Sequence, residues 1–103
     1  MPWLVLFAAA LLEIAWAIGL KYTQGFTRLW PSVWTLAAMV CSMLLLARAA
    51  RTLPIGTAYA VWTGIGAAGT AILGVYLFNE PLSAVRLAGI GLVIGGVLLL
   101  RLA

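Results

Sequence analysis

Four apolar stretches, separated by short polar or proline-containing breaks, make up nearly the whole chain. They cover about residues 3–21, 32–51, 55–78 and 83–101. At a rise of about 1.5 Å per residue, α-helices of this length cross the roughly 30 Å hydrocarbon core of a bilayer. The four prolines fall at the ends of these stretches, where a helix tolerates them: Pro2, Pro31, Pro54 and Pro81. The pattern predicts an all-α membrane protein with four transmembrane helices in a single domain, residues 1–103.

Composition supports the same interpretation. Hydrophobic residues make up 66% of the chain and charged residues 8%, with a mean hydropathy of +1.20, whereas roughly a quarter of a soluble domain is charged. The six basic residues behind the net charge of +4 are scattered singly, so we expect no nucleic-acid partner. The chain has no histidine, and Cys41 is its only cysteine. We therefore expect neither metal nor cofactor, and without a soluble domain to hold an active site we expect no enzymatic activity.

The basic residues also bear on orientation, because cytoplasmic loops normally carry the excess of Lys and Arg. Three of them fall on the side of the termini and three on the opposite side, respectively Arg48, Arg51 and Arg101, and Lys21, Arg28 and Arg86. Because the two sides carry equal numbers of basic residues, the positive-inside rule favours neither orientation. It predicts that copies of the chain enter the membrane in both orientations.

Two oppositely inserted copies would supply the inverted pair that many transporters encode within one chain. No internal repeat is visible in this sequence. The fourth stretch contains Gly91 and Gly95, a G-x-x-x-G spacing that lets membrane helices approach closely. We expect these glycines to pack an antiparallel homodimer, with packing inside one subunit as the alternative.

Glu13 lies near the centre of the first stretch. An ionised carboxylate at that depth costs about 3 kcal/mol on insertion scales, so such residues are usually functional. Trp16 follows one turn later on the same face and offers both an indole N–H and an aromatic ring. Glu80, beside Pro81, is expected to be a solvated loop residue, and Arg86 is expected to extend outward to the membrane surface.

A second polar and aromatic face occurs on the third stretch, where Tyr59 and Trp62 are one turn apart. Trp62 lies about 10 Å inside the span, too deep for an ordinary interfacial tryptophan. Ser42, near the middle of the second stretch, adds a hydroxyl group. Together with Glu13 these groups predict a dry pocket for a small cation. The same carboxylate would bind a proton, and competition between the two ligands would produce exchange.

Three long motifs carry a resemblance to a known family. They are residues 12–22 (LEIAWAIGLKY), 25–32 (GFTRLWPS) and 53–66 (LPIGTAYAVWTGIG). In this order and in a chain of this size, they make the sequence similar to the small multidrug resistance transporters over essentially its whole length. Trp16 stands where the multidrug branch usually has a small residue, so the chain resembles the guanidinium-exporter branch. Ala10 departs from that branch, in which we expect glycine.

The resemblance implies a proton-coupled antiporter in the cell's inner (plasma) membrane, exporting guanidinium and small guanidinyl cations as an antiparallel dual-topology homodimer. It implies that Glu13 is the shared proton and substrate site. Trp16, Ser42 and Trp62 would orient its carboxylate, and Tyr59 would contribute to the pocket. The third helix would bend at Gly64 and Gly66 during alternating access.

Two other functions stay open at this point. One is export of bulkier quaternary ammonium compounds, which need apolar volume that Trp16 would occupy. The other is a membrane subunit that does not transport and pairs with a larger partner through its glycine faces. Glu13 argues against a purely structural subunit, because a scaffold has no need of an unpaired acid in lipid.

Overall fold

The computed structural model describes residues 1–103 and contains four α-helices and no β-strand. The helices are α1 (Pro2–Tyr22), α2 (Leu29–Ala49), α3 (Ile55–Phe78) and α4 (Ala84–Leu102). All four are long and apolar enough to cross a membrane. The predicted all-helical class with four transmembrane segments is confirmed.

The second helix differs from the predicted range of 32–51. It begins at Leu29, so Pro31 lies inside its first turn. Proline is compatible with that turn because the N–H groups there have no carbonyl partner within the helix. At the other end, α2 stops at Ala49, and the chain turns through Arg51 before Pro54 begins α3 as its N-cap.

Close packing between the helices depends on small residues. Helix α1 lies between α2 and α3, and α4 packs mainly against α3. A methyl group placed at Gly19 would overlap the side chains of Trp34 and Thr35 on α2, and one at Gly69 would overlap Ile14. Short side chains at these crossings let membrane helices approach more closely than leucine would allow.

The subunit is a thin slab of helices, measuring 40 × 34 × 16 Å. Packed helices lie about 8–10 Å apart axis to axis, so the thin dimension holds no more than two layers. No residue of α4 is buried, and large apolar side chains are exposed along all four helices. Lipid or a second protein surface must cover both faces of this slab.

Candidate functional site

The Glu13 carboxylate, on α1, is packed directly against the backbone of α3. A methyl group at Gly66 would overlap the carboxylate, so only glycine at that position leaves room for the acid. The Oε1 atom of Glu13 is buried and has no hydrogen-bond partner within the protein. A buried acceptor of this kind gains strongly from a ligand that can donate a hydrogen bond or carry a positive charge.

A cavity of about 410 Å³ runs from Glu13 along the groove between α1 and α3. Small and polar side chains on α3 form one wall, and charged groups stand at the far end. The lining residues are Glu13, Ala17, Ile18, Lys21, Thr63, Gly66, Ala67, Thr70, Ala71, Gly74, Phe78, Glu80 and Arg86. Because the slab is only 16 Å thick, this groove becomes an enclosed pocket only when something covers its open side.

Ser42 and Trp62 form a buried hydrogen-bonded pair close to Glu13. The Trp62 Nε1–H donates to Ser42 Oγ over 3.0 Å, and the Ser42 hydroxyl donates to the carbonyl of Ala9 over 2.6 Å. Ala9 is one turn before Glu13 on α1, so the pair ties α1, α2 and α3 together one turn from the acid. Tyr59 packs against Trp62 with the rings tilted by 48° and their centroids 5.7 Å apart, and it remains 55% exposed.

The predicted role of Ser42 and Trp62 was to orient the carboxylate. In this structure their hydrogen bonds go to each other and to Ala9, and neither lines the cavity. Direct contact with Glu13 therefore stays a prediction. Their observed arrangement fixes the backbone from which Glu13 projects.

Trp16 also makes no hydrogen bond to Glu13 in this structure. Its ring packs against the core, and its Nε1–H is buried without an acceptor. One turn away on the same helix, Glu13 has a buried acceptor without a donor. The two groups are chemically matched, and rotation of either side chain would be needed to join them.

Ala10, the departure from the guanidinium-exporter branch, lies away from the cavity. It is fully buried and packs in the core cluster with Leu46, Ala58 and Trp62. The additional methyl group therefore fills space between helices and does not narrow the groove beside Glu13.

The glycines predicted for helix bending lie on α3, and those predicted for dimer packing lie on α4. Helix α3 is continuous from Ile55 to Phe78, and Gly64 gives close contact with Val97 of α4. A bend at Gly64 and Gly66 stays a prediction. A methyl group at Gly91 or Gly95 would touch nothing within 4 Å, so no side chain of the subunit packs closely at these positions, and dimer packing there stays a prediction.

Two charged residues at the cavity mouth form an ion pair that was not predicted. Arg86 was expected to extend to the membrane surface, but its Nη2 donates to Glu80 Oε1 over 2.7 Å and to the Ala71 carbonyl over 3.2 Å. Glu80 lies in the loop after α3, as predicted, and is partly exposed, but it is also ion-paired and lines the cavity. The signal available in the sequence was that Glu80 is the only acidic residue besides Glu13.

Comparison with known proteins identifies the family. The sequence profile described as Small Multidrug Resistance protein matches residues 1–93. The chain belongs to the small multidrug resistance family. It is therefore a multi-pass protein of the inner membrane, in a family of transporters, as the sequence predicted.

Relatives within the small multidrug resistance family are similar over their full length. A protein of Citrobacter freundii named guanidinium exporter is 58% identical over 103 residues, covering 100% of this chain and 98% of the relative. A guanidinium exporter of Yersinia pseudotuberculosis is 57% identical, covering 100% and 99%. One from Salmonella typhimurium strain LT2 is 55% identical, covering 100% and 98%.

Proposed function

We propose that this chain is a proton-coupled antiporter that exports guanidinium and small guanidinyl cations, with Glu13 as the site shared by cation and proton. The observation that carries the proposal is the buried, unpartnered Oε1 of Glu13 at the inner end of the groove. The names of the full-length relatives support guanidinium as the cation.

Guanidinium matches the chemistry of this site. It is planar, always charged near neutral pH, and carries N–H donors that can pair with both oxygens of one carboxylate. Its faces can also rest on aromatic rings such as Trp16 or Tyr59. A quaternary ammonium ion has no N–H to give, so the unpartnered oxygen would remain without a hydrogen bond.

Exchange follows from the use of one carboxylate for two ligands. A proton on Glu13 removes the negative charge that holds the cation, and a bound cation blocks the proton. If the ionised, unloaded site is too costly to turn toward the other side of the membrane, each turn carries one ligand or the other. An inward proton gradient then drives the cation out.

The dimer belongs to the same proposal. The groove that holds Glu13 is open along the slab, α4 has no buried residue, and a methyl group at Gly91 or Gly95 would touch nothing within the subunit. A second copy inserted in the opposite orientation would cover the groove and bring the two α4 surfaces together.

Transport by the purified protein in liposomes tests the function directly. A guanidinium gradient should drive protons the other way, measured with a pH-sensitive dye inside the vesicles, because exchange of one cation for one proton moves no net charge. Tetrapropylammonium applied to the same vesicles should drive a much smaller proton flux. A larger flux for tetrapropylammonium would favour the multidrug alternative, and no flux for either cation would favour a subunit that does not transport.

Trp16→Gly is expected to shift selectivity away from guanidinium and toward larger apolar cations. The substitution removes an indole N–H and an aromatic face, each worth on the order of 1 kcal/mol, and it opens volume one turn from Glu13. The ratio of guanidinium to tetrapropylammonium transport should therefore fall by roughly tenfold or more. Trp16→Phe is the matched control because it keeps an aromatic face while it removes the N–H and part of the ring area. Equal loss for both cations in Trp16→Gly would make Trp16 a packing residue.

Membrane orientation is expected to be mixed and easily changed. With three basic residues on each side, two lysines added after Ala103 should move the population toward a cytoplasmic C-terminus. Accessibility of a C-terminal tag from each side of the membrane measures the two populations. A single fixed orientation of the unmodified chain would rule out the antiparallel homodimer.

A further inference from the structure

The second acidic residue of the chain lies in the same groove as the first. Glu13 is at the inner end of the cavity, and Glu80, in the loop between α3 and α4, is at its mouth. The inference drawn from this placement rests on the proposed function, since it concerns how the cation reaches Glu13.

Each of the two carboxylates packs against a glycine of α3. A methyl group at Gly66 would overlap the Glu13 carboxylate, and one at Gly74 would overlap that of Glu80. Eight residues separate these glycines in the sequence, which corresponds to about 12 Å along the helix axis. The two acids are thus held against one face of α3 at different depths.

Thr70 lies midway between Gly66 and Gly74 on α3. Its side chain lines the cavity, and its Oγ1 atom is buried without a hydrogen-bond partner. The groove therefore has a carboxylate at each end and an unpartnered hydroxyl group midway. A cation with N–H donors could exchange one oxygen acceptor for the next along this path without losing all of them at once.

Glu80 already binds a guanidinium group, which belongs to Arg86. The Arg86 Nη2 contacts Glu80 Oε1 at 2.7 Å and the Ala71 carbonyl at 3.2 Å, while its Nε is buried and unpartnered. The side chains of Arg86 and Glu80 are 29% and 37% exposed. Ion pairs with this much exposure are weak, so a cation from solution can compete for Glu80.

We propose that Glu80 is a docking site for guanidinium-type cations at the mouth of the groove, and that Arg86 is the internal competitor that occupies it between turnovers. An arriving cation displaces the Arg86 head group from Glu80 and then passes Thr70 to reach Glu13. Lys21, which also lines the mouth and lies with its Nζ 5.5 Å from the centroid of the Phe78 ring, keeps the docking weak. Weak docking favours onward movement of the cation.

The test compares apparent KM values for guanidinium in Glu80→Gln and Arg86→Gln. Removing the docking acid should raise KM, and removing its competitor should lower it, each by about two- to fivefold. The maximal rate at saturating guanidinium should change much less. If the ion pair only fastens the loop to α3, both substitutions break the same contact and both should shift KM in the same direction, which would overturn the proposal.

The double variant Glu80→Gln/Arg86→Gln separates docking from a general effect of charge. Arg86 competes only for Glu80, so its removal should have no effect once Glu80 is gone, and KM should equal that of Glu80→Gln alone. A KM restored to the wild-type value would mean that the two charges act independently, and docking would be excluded. If the wild-type protein carries no guanidinium, the proposed function fails and this inference fails with it. Normal guanidinium-driven proton movement by the wild type with same-direction shifts refutes the inference alone.

Discussion

Glu13→Gln is expected to abolish proton-coupled guanidinium transport and to leave the protein folded. Glutamine has nearly the same shape, so it should fit the seat against Gly66, but it can neither lose a proton nor balance the charge of a cation. In the proposed mechanism one carboxylate serves both ligands, so binding and coupling should disappear together. Guanidinium-driven proton movement in vesicles that contain only this variant would remove Glu13 from the mechanism.

Glu13→Asp is the matched control. It keeps a titratable carboxylate but withdraws it by one methylene group, so exchange should be reduced and still measurable. Size-exclusion profiles of both variants should match the wild type. If Glu13→Asp is as inactive as Glu13→Gln while both remain folded, the position of the acid matters more than its charge.

Gly66→Ala is expected to lower transport by tenfold or more without unfolding the protein. The added methyl group would overlap the Glu13 carboxylate, and the side chain must rotate away from its seat. Since the overlapping atoms are the far end of a flexible side chain, the effect on stability should be small. A reacting group displaced by about 1 Å can lose on the order of a hundredfold in rate.

Gly69→Ala offers a close comparison on the same helix. It adds the same methyl group and the same gain in helix propensity, about 1 kcal/mol, but the methyl meets the end of the Ile14 side chain and does not reach Glu13. Because Ile14 must move but the Glu13 carboxylate is not itself displaced, transport by Gly69→Ala should fall much less than transport by Gly66→Ala. Equal losses in the two alanine variants would mean that α3 must be flexible at both glycines, and the seat for Glu13 would not explain the result.

The helices were largely predictable because lipid imposes both length and composition on them. The predicted range of 55–78 coincides with α3, since Pro54 and the left-handed Asn79 mark its ends. The start of α2 was less predictable. Pro31 reads as a break before a helix, but the first turn of a helix accepts proline equally well.

The site was predictable where a single helix determines it. The depth of Glu13 follows from counting residues, and its cost in lipid marks it as functional. Which residues of another helix face it does not follow from spacing. Trp62 donates to Ser42 in this structure, so its predicted role toward Glu13 stays a prediction, and Arg86 turned inward to Glu80.

Glu80 stands at only one end of the subunit. In an antiparallel pair, one copy presents this acid to the cytoplasm and the other presents it to the outside. Any substitution in the gene changes the groove mouth of both copies at once. Selection therefore cannot give the mouth on the inner side a higher affinity for cations than the mouth on the outer side. Such a carrier has no built-in preference for one direction of transport. The sign of its net flux is set by the proton and cation gradients alone, and it should run backward whenever those gradients are reversed.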